Sequence, residues 1–71
     1  MNRQKRGEDL RDRMMAYIRE ECTAGIPPTI REIQTHCNVS STSLVNYHLH
    51  RLERDGRILR SPKKSRAIIV V

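Results

Sequence analysis

Seventy-one residues make one domain and supply material for only a small buried core, so modest stability is expected. Lys and Arg total 14 against 8 acidic residues, a net charge of +6 that points to a polyanion, duplex nucleic acid ahead of an anionic membrane surface. A pre-formed cleft of several converging catalytic groups would be hard to build in so short a chain. With Tyr17 and Tyr47 as its only aromatic residues, it also lacks the stacking rings that single-strand binders use.

The opening run from Met1 to Arg6 is basic with no apolar stretch behind it, so residues 1–7 read as a flexible arm rather than a secretory signal. No long apolar segment follows, and Cys22 and Cys37 do not make a disulfide framework. A soluble cytoplasmic protein associated with the nucleoid is expected, with no membrane partner.

From about Glu8, Leu10, Met14, Tyr17, Ile18 and Cys22 recur at helical spacing. Glu8, Asp9 and Asp12 sit where the helix dipole favours negative charge. Gly25 supplies the left-handed residue that ends many helices, and Pro27-Pro28 forbids continuation, which places the first helix from Glu8 to Ala24. Thr29-Ile30-Arg31-Glu32 is a capping box that opens a short second helix ending near His36 or Cys37. Asn38 tolerates a tight left-handed turn, and Val39 is placed to plug the space behind it.

Ser40, Ser41 and Thr42 offer alternative caps for a third helix with a buried stripe of Val45, Leu49 and Leu52, flanked by Leu44 and His48. Asp55-Gly56 ends it. The period then changes: Arg57 to Arg60 and Arg66 to Val71 are rich in β-branched residues and flank a basic, Pro-containing turn, the pattern of a hairpin. The expected fold is α+β, a winged helix-turn-helix of three helices and a two-stranded wing over 8–71.

The inward stripe of the third helix leaves Thr42, Ser43, Asn46, Tyr47 and His50 on the exposed side. These are hydrogen-bonding side chains of moderate length, suited to base edges in a major groove, where a merely solvated helix usually carries Lys and Glu. Asn46 suits adenine, and Tyr47 a phosphate or a thymine methyl. Thr29 and Arg31 at the start of the second helix, with Thr42 and Arg51, are candidate phosphate contacts. Lys63, Lys64 and Arg66 in the wing suit the backbone or minor groove, or else guard a hairpin edge against aggregation. Arg54 and the arm residues Arg3, Lys5 and Arg6 either add attraction or stay solvated.

The run Gly25-Ile26-Pro27-Pro28-Thr29-Ile30-Arg31-Glu32-Ile33 resembles the G-[MI]-P-P-T-x-x-E-I segment of the LexA repressor DNA-binding domain family. Val39-Ser40-Ser41, His48-Leu49, Leu52, Gly56 and Ile58 continue the resemblance, which spans about residues 10 to 71. It implies a winged helix whose third helix lies in the major groove of double-stranded DNA, in a repressor of transcription. The base-contacting positions it implies fall on Ser41, Ser43, Leu44, Asn46 and Tyr47, to which exposure adds His50. The family carries Asn and two Glu where this chain has Ser43, Asn46 and Tyr47, so its operator does not carry over. The family's self-cleaving and dimerising second domain has no counterpart in these residues, so no protease activity is expected.

Cys22, His36, Cys37, His48 and His50 lack the paired spacing of a zinc site, and neither a metal nor a cofactor is expected. No segment has the local context of a nucleophile elbow or a phosphate loop. Winged helices also serve as protein-docking modules, the alternative to DNA binding, but the polar third helix offers no large apolar surface for that. A monomer that pairs on DNA as a homodimer, or through a domain absent from this chain, is expected.

Overall fold

The computed structural model describes residues 5–60 and 68–71, with side chains described from residue 9 onward. Three helices, α1 (Lys5–Thr23), α2 (Ile30–His36) and α3 (Thr42–Arg54), are followed by two antiparallel strands, β1 (Ile58–Arg60) and β2 (Ile68–Val70). This is the expected α+β winged helix. The turn between the strands, with Lys63, Lys64 and Arg66, lies outside the described residues, as does Arg3.

All three helices stop by the same device. After α1, the Gly25 amide donates to the Cys22 carbonyl and the Ile26 amide to Glu21. After α2, the Asn38 amide donates to Thr35 and Val39 to Gln34; after α3, Gly56 donates to Glu53 and Arg57 to Leu52. Each is the paired bond set that satisfies orphan helix carbonyls once one residue turns left-handed. Those residues are Gly25, Asn38 and Gly56, with φ of 105°, 56° and 75°. Asn stands in the helix-turn-helix turn because its short amide tolerates that region better than most residues with a Cβ.

The start of α1 differs from expectation. The helix begins at Lys5, three residues before Glu8, so residues 5–7 of the expected arm are helical. Lys and Arg propagate a helix well, and Gly7 alone costs only about 1 kcal/mol relative to Ala, too little to stop it. At the other end Ala24 belongs to the closing turn and not to the helix.

Every element feeds one core. Met14, Met15 and Ile18 come from α1, Ile33 and Cys37 from α2 and its C-cap, Val45, Leu49 and Leu52 from α3, and Ile58 and Ile68 from the strands. Leu10, Tyr17, Cys22, Ile30, Val39 and Val70 pack around them. Burying each large aliphatic side chain contributes about 1.5–3 kcal/mol. The strand register pairs Ile58 with Val70 and Arg60 with Ile68, which turns this face inward and leaves the Leu59–Ile69 pair outward. Arg60 Nε meets Glu53 Oε1 at 3.4 Å, tying the hairpin to α3.

Candidate nucleic-acid interface

The start of α3 is set by Ser41, whose Oγ accepts from the Leu44 amide at 3.3 Å. Of the three hydroxyls in a row, this one has the extended backbone a cap requires, with φ −125° and ψ 127°. Thr42, one residue on, directs its hydroxyl proton to Gln34 Oε1 at 3.0 Å. That bond brackets α2 to α3 across the turn. Ser41, expected at a base, therefore caps α3, and Thr42, expected at a phosphate, ties α3 to α2.

Beyond the cap, Ser43, Asn46, Tyr47 and His50 are exposed at spacings that share one face, while Val45, His48, Leu49 and Leu52 are buried on the other. Leu44 is exposed at the border, at 41%. The structure thus brings Ser43, Asn46, Tyr47 and His50 together on one surface and sets Leu44 at its side. Arg51 Nη1 donates to Tyr47 Oη at 3.3 Å, which aims the guanidinium along this surface, and Arg54 is exposed one turn from His50. Both arginines lie in the last turn, where positive charge also suits the helix dipole.

α2 supports this helix from behind. Thr29 Oγ1 accepts from the Glu32 amide at 3.1 Å and the Thr29 amide donates to Glu32 Oε1 at 2.9 Å, the reciprocal capping box. Arg31 is exposed beside it. The cap uses the Thr29 hydroxyl and places a carboxylate at the helix entrance, so positive charge at this end comes from Arg31.

His48 was expected at the flank of the buried stripe; it is 3% exposed and lies within it. Its Nδ1 accepts from Arg11 Nε at 3.2 Å, so the ring is neutral with its proton on Nε2. Burial lowers its proton affinity below the ordinary value, and the nearby charges of Arg11 and Arg51 lower it further. Sequence reasoning missed this contact. The only available signal was a histidine next to an apolar stripe, a group that must find a partner when buried.

The remaining histidine and cysteine positions are dispersed. His36 stacks on Tyr17 with ring centroids 4.0 Å apart, and Cys22 Sγ points to the Ile68 carbonyl at 3.5 Å. Burial pushes the Cys37 thiol up, against a smaller opposite pull from Arg13, so it behaves as a small apolar group. Among the described residues no three His, Cys, Asp or Glu side chains gather as a metal site, and no helix is long and apolar enough to cross a membrane.

Two short helices joined by a left-handed turn, the second capped and polar on its outward side, followed by a β-hairpin, define a winged helix-turn-helix domain. Comparison with known proteins narrows this class. The LexA DNA binding domain family matches residues 5–67, and the chain belongs to that family. The LexA repressor of Enterococcus faecalis is 49% identical over 65 residues, covering 90% of this chain and 31% of the repressor. That of Clostridium acetobutylicum is 44% identical over 64 residues, covering 89% and 31%. That of Myxococcus xanthus is 42% identical over 62, covering 87% and 28%. The chain therefore spans about a third of the length of the curated relatives it matches.

Proposed function

We propose that this chain binds double-stranded DNA sequence-specifically as the reading domain of a transcriptional repressor, in the cytoplasm on the nucleoid. The observation that carries this reading is the outward face of α3. It offers donors and acceptors at Ser43, Asn46, Tyr47 and His50 on a helix fixed by a cap, a bracket to α2 and a buried opposite face. In this reading α3 enters the major groove, where such groups distinguish base pairs. Asn46 is the principal reader, by bidentate pairing with adenine. Ser43, Tyr47 and His50 read neighbouring edges, and Ser41 and Leu44 line the entrance. Arg31 and Arg51, with Lys63, Lys64 and Arg66 of the wing, hold phosphates, and Thr29 and Thr42 lie beside them. Two copies pair on half-sites, as helix-turn-helix domains commonly do. The chain acts by binding, with no reaction of its own.

Selection of bound duplexes from a random pool tests this reading. It should return a motif that the chain prefers over mixed sequence, with affinity that falls steeply as salt rises. Lys63→Ala with Lys64→Ala should weaken all duplexes alike without changing the motif. An unenriched pool, or binding indifferent to salt, overturns the reading.

A further inference from the structure

Arg11 and His48 are 37 residues apart in sequence, yet the guanidinium of one is docked on the ring of the other. His48 is the one buried polar side chain among the described residues. Its ring meets the ring of Tyr47 edge-on, with centroids 5.1 Å apart and planes at 71°. Tyr47 in turn accepts from Arg51. Two adjacent rings of α3 thus hold one guanidinium each, one from α1 and one from α3 itself.

Proteins usually fix an arginine against a carboxylate, which directs the side chain but cancels its charge. Among the described side chains neither Arg11 nor Arg51 is held by a carboxylate, whereas Arg60 is held by Glu53. An imidazole nitrogen and a phenol oxygen direct the guanidinium and leave its positive charge whole. Such an arrangement suits an anion arriving from outside, because the side chain is ordered before the ligand comes. Arg11 is half-buried, and the ring it donates to meets the ring of Tyr47, a member of the polar face, so Arg11 is linked to that face through His48.

We propose that Arg11, on α1 and outside the helix-turn-helix, is a DNA-phosphate contact preset by His48, which acts as a positioning residue and does not itself touch DNA. This rests on the duplex-binding reading above. It assigns α1 a direct part in binding and gives the buried histidine of α3 a function beyond filling the core.

The test is a salt-dependent titration of the full chain against one selected and one mixed-sequence duplex. It compares the wild type with Arg11→Met, His48→Leu, His48→Gln and the Arg11→Met/His48→Leu double variant. Arg11→Met keeps the apolar stem and removes the charge. It should weaken both duplexes by the same factor, on the order of tenfold, and make the plot of log affinity against log salt shallower by about 0.9. His48→Leu should reproduce that loss, and the double variant should be no worse than Arg11→Met alone. His48→Gln, whose Oε1 can accept from Arg11, should restore most of the slope. A wild-type slope in Arg11→Met overturns the proposal, and so do additive losses in the double variant. If His48→Leu does not fold, Arg11→Met and His48→Gln still decide. A wild type that binds neither duplex at low salt removes the parent reading and this one together, whereas normal wild-type binding with an indifferent Arg11→Met removes this one alone.

Discussion

The two faces of α3 belong to the same thirteen residues and obey opposite rules. Val45, Leu49 and Leu52 face inward with no exposed surface, and their neighbour Ile58 closes the same core. Outward, Ser43, Asn46, Tyr47 and His50 are exposed and mostly polar. The hairpin makes the contrast sharper. Its outward pair, Leu59 and Ile69, is apolar at 57% and 59% exposure, so a polar exterior is not simply what this small domain shows to water. The inward face carries folding through volume, and the outward face carries recognition through hydrogen-bond pattern. Substitutions on the two faces should therefore separate stability from sequence preference.

The largest effect should come from the inward face. Leu49→Ala removes a fully buried side chain from the centre of the core and should cost about 2–5 kcal/mol, read as a drop in the urea midpoint. Any of the protein that remains folded should keep the same base preference. Next is Asn46→Ala on the outward face. It should leave the unfolding midpoint within about 0.5 kcal/mol of wild type, as exposed positions do, yet lose about 1–3 kcal/mol of discrimination at one base pair. Competition among duplexes changed one base pair at a time measures that loss. If Asn46→Ala instead weakened every duplex equally, the division between the faces would fail.

The elements that could be read from the sequence are those whose chemistry is local. Gly25, Asn38 and Gly56 announce left-handed turns because few other residues tolerate them, and Thr29 with Glu32 announces a cap because its partners are three residues apart. The face assignment on α3 follows from helical spacing alone. The start of α1 was not legible, since Lys5, Arg6 and Gly7 contain neither a cap nor a breaker. Nor were Arg11 to His48 and Gln34 to Thr42, because those bonds join separate helices and leave no periodic trace. Three successive hydroxyls before α3 were interchangeable on paper. Backbone geometry selects Ser41 as the cap and gives Thr42 a different bond.

Ser41 stands where the two faces meet, and Ser41→Ala tests which it serves. Loss of the cap to the Leu44 amide should cost about 1 kcal/mol of stability. Because the oxygen accepts that bond while its proton remains available, a smaller loss of affinity should accompany the change. A preference shift as large as that of Asn46→Ala would move Ser41 from the scaffold to the reading set.

The smallest expected effect is a slope with pH, and it arises from the one polar group on the inward face. His48 faces Arg11 from α1 and Tyr47 and Arg51 from α3. Burial first, and then the two arginines, depress its proton affinity below the ordinary 6.5. The unfolded chain therefore takes up the proton before the folded one does, and folding is favoured by the neutral ring. This contribution is complete above 6.5, declines as pH falls from there through the lower folded value, and changes no further below that. Unfolding midpoints at about pH 7.5 and about pH 5.5 should differ more for wild type than for His48→Gln, which has no proton to take up there. Arg11→Met should fall between the two, since it removes one of the charges that oppose protonation but leaves the burial. Equal pH dependence in wild type and His48→Gln would mean that the ring gains its proton as readily in the core as in water. The inward face would then tolerate a charge that its packing and its two arginines should reject.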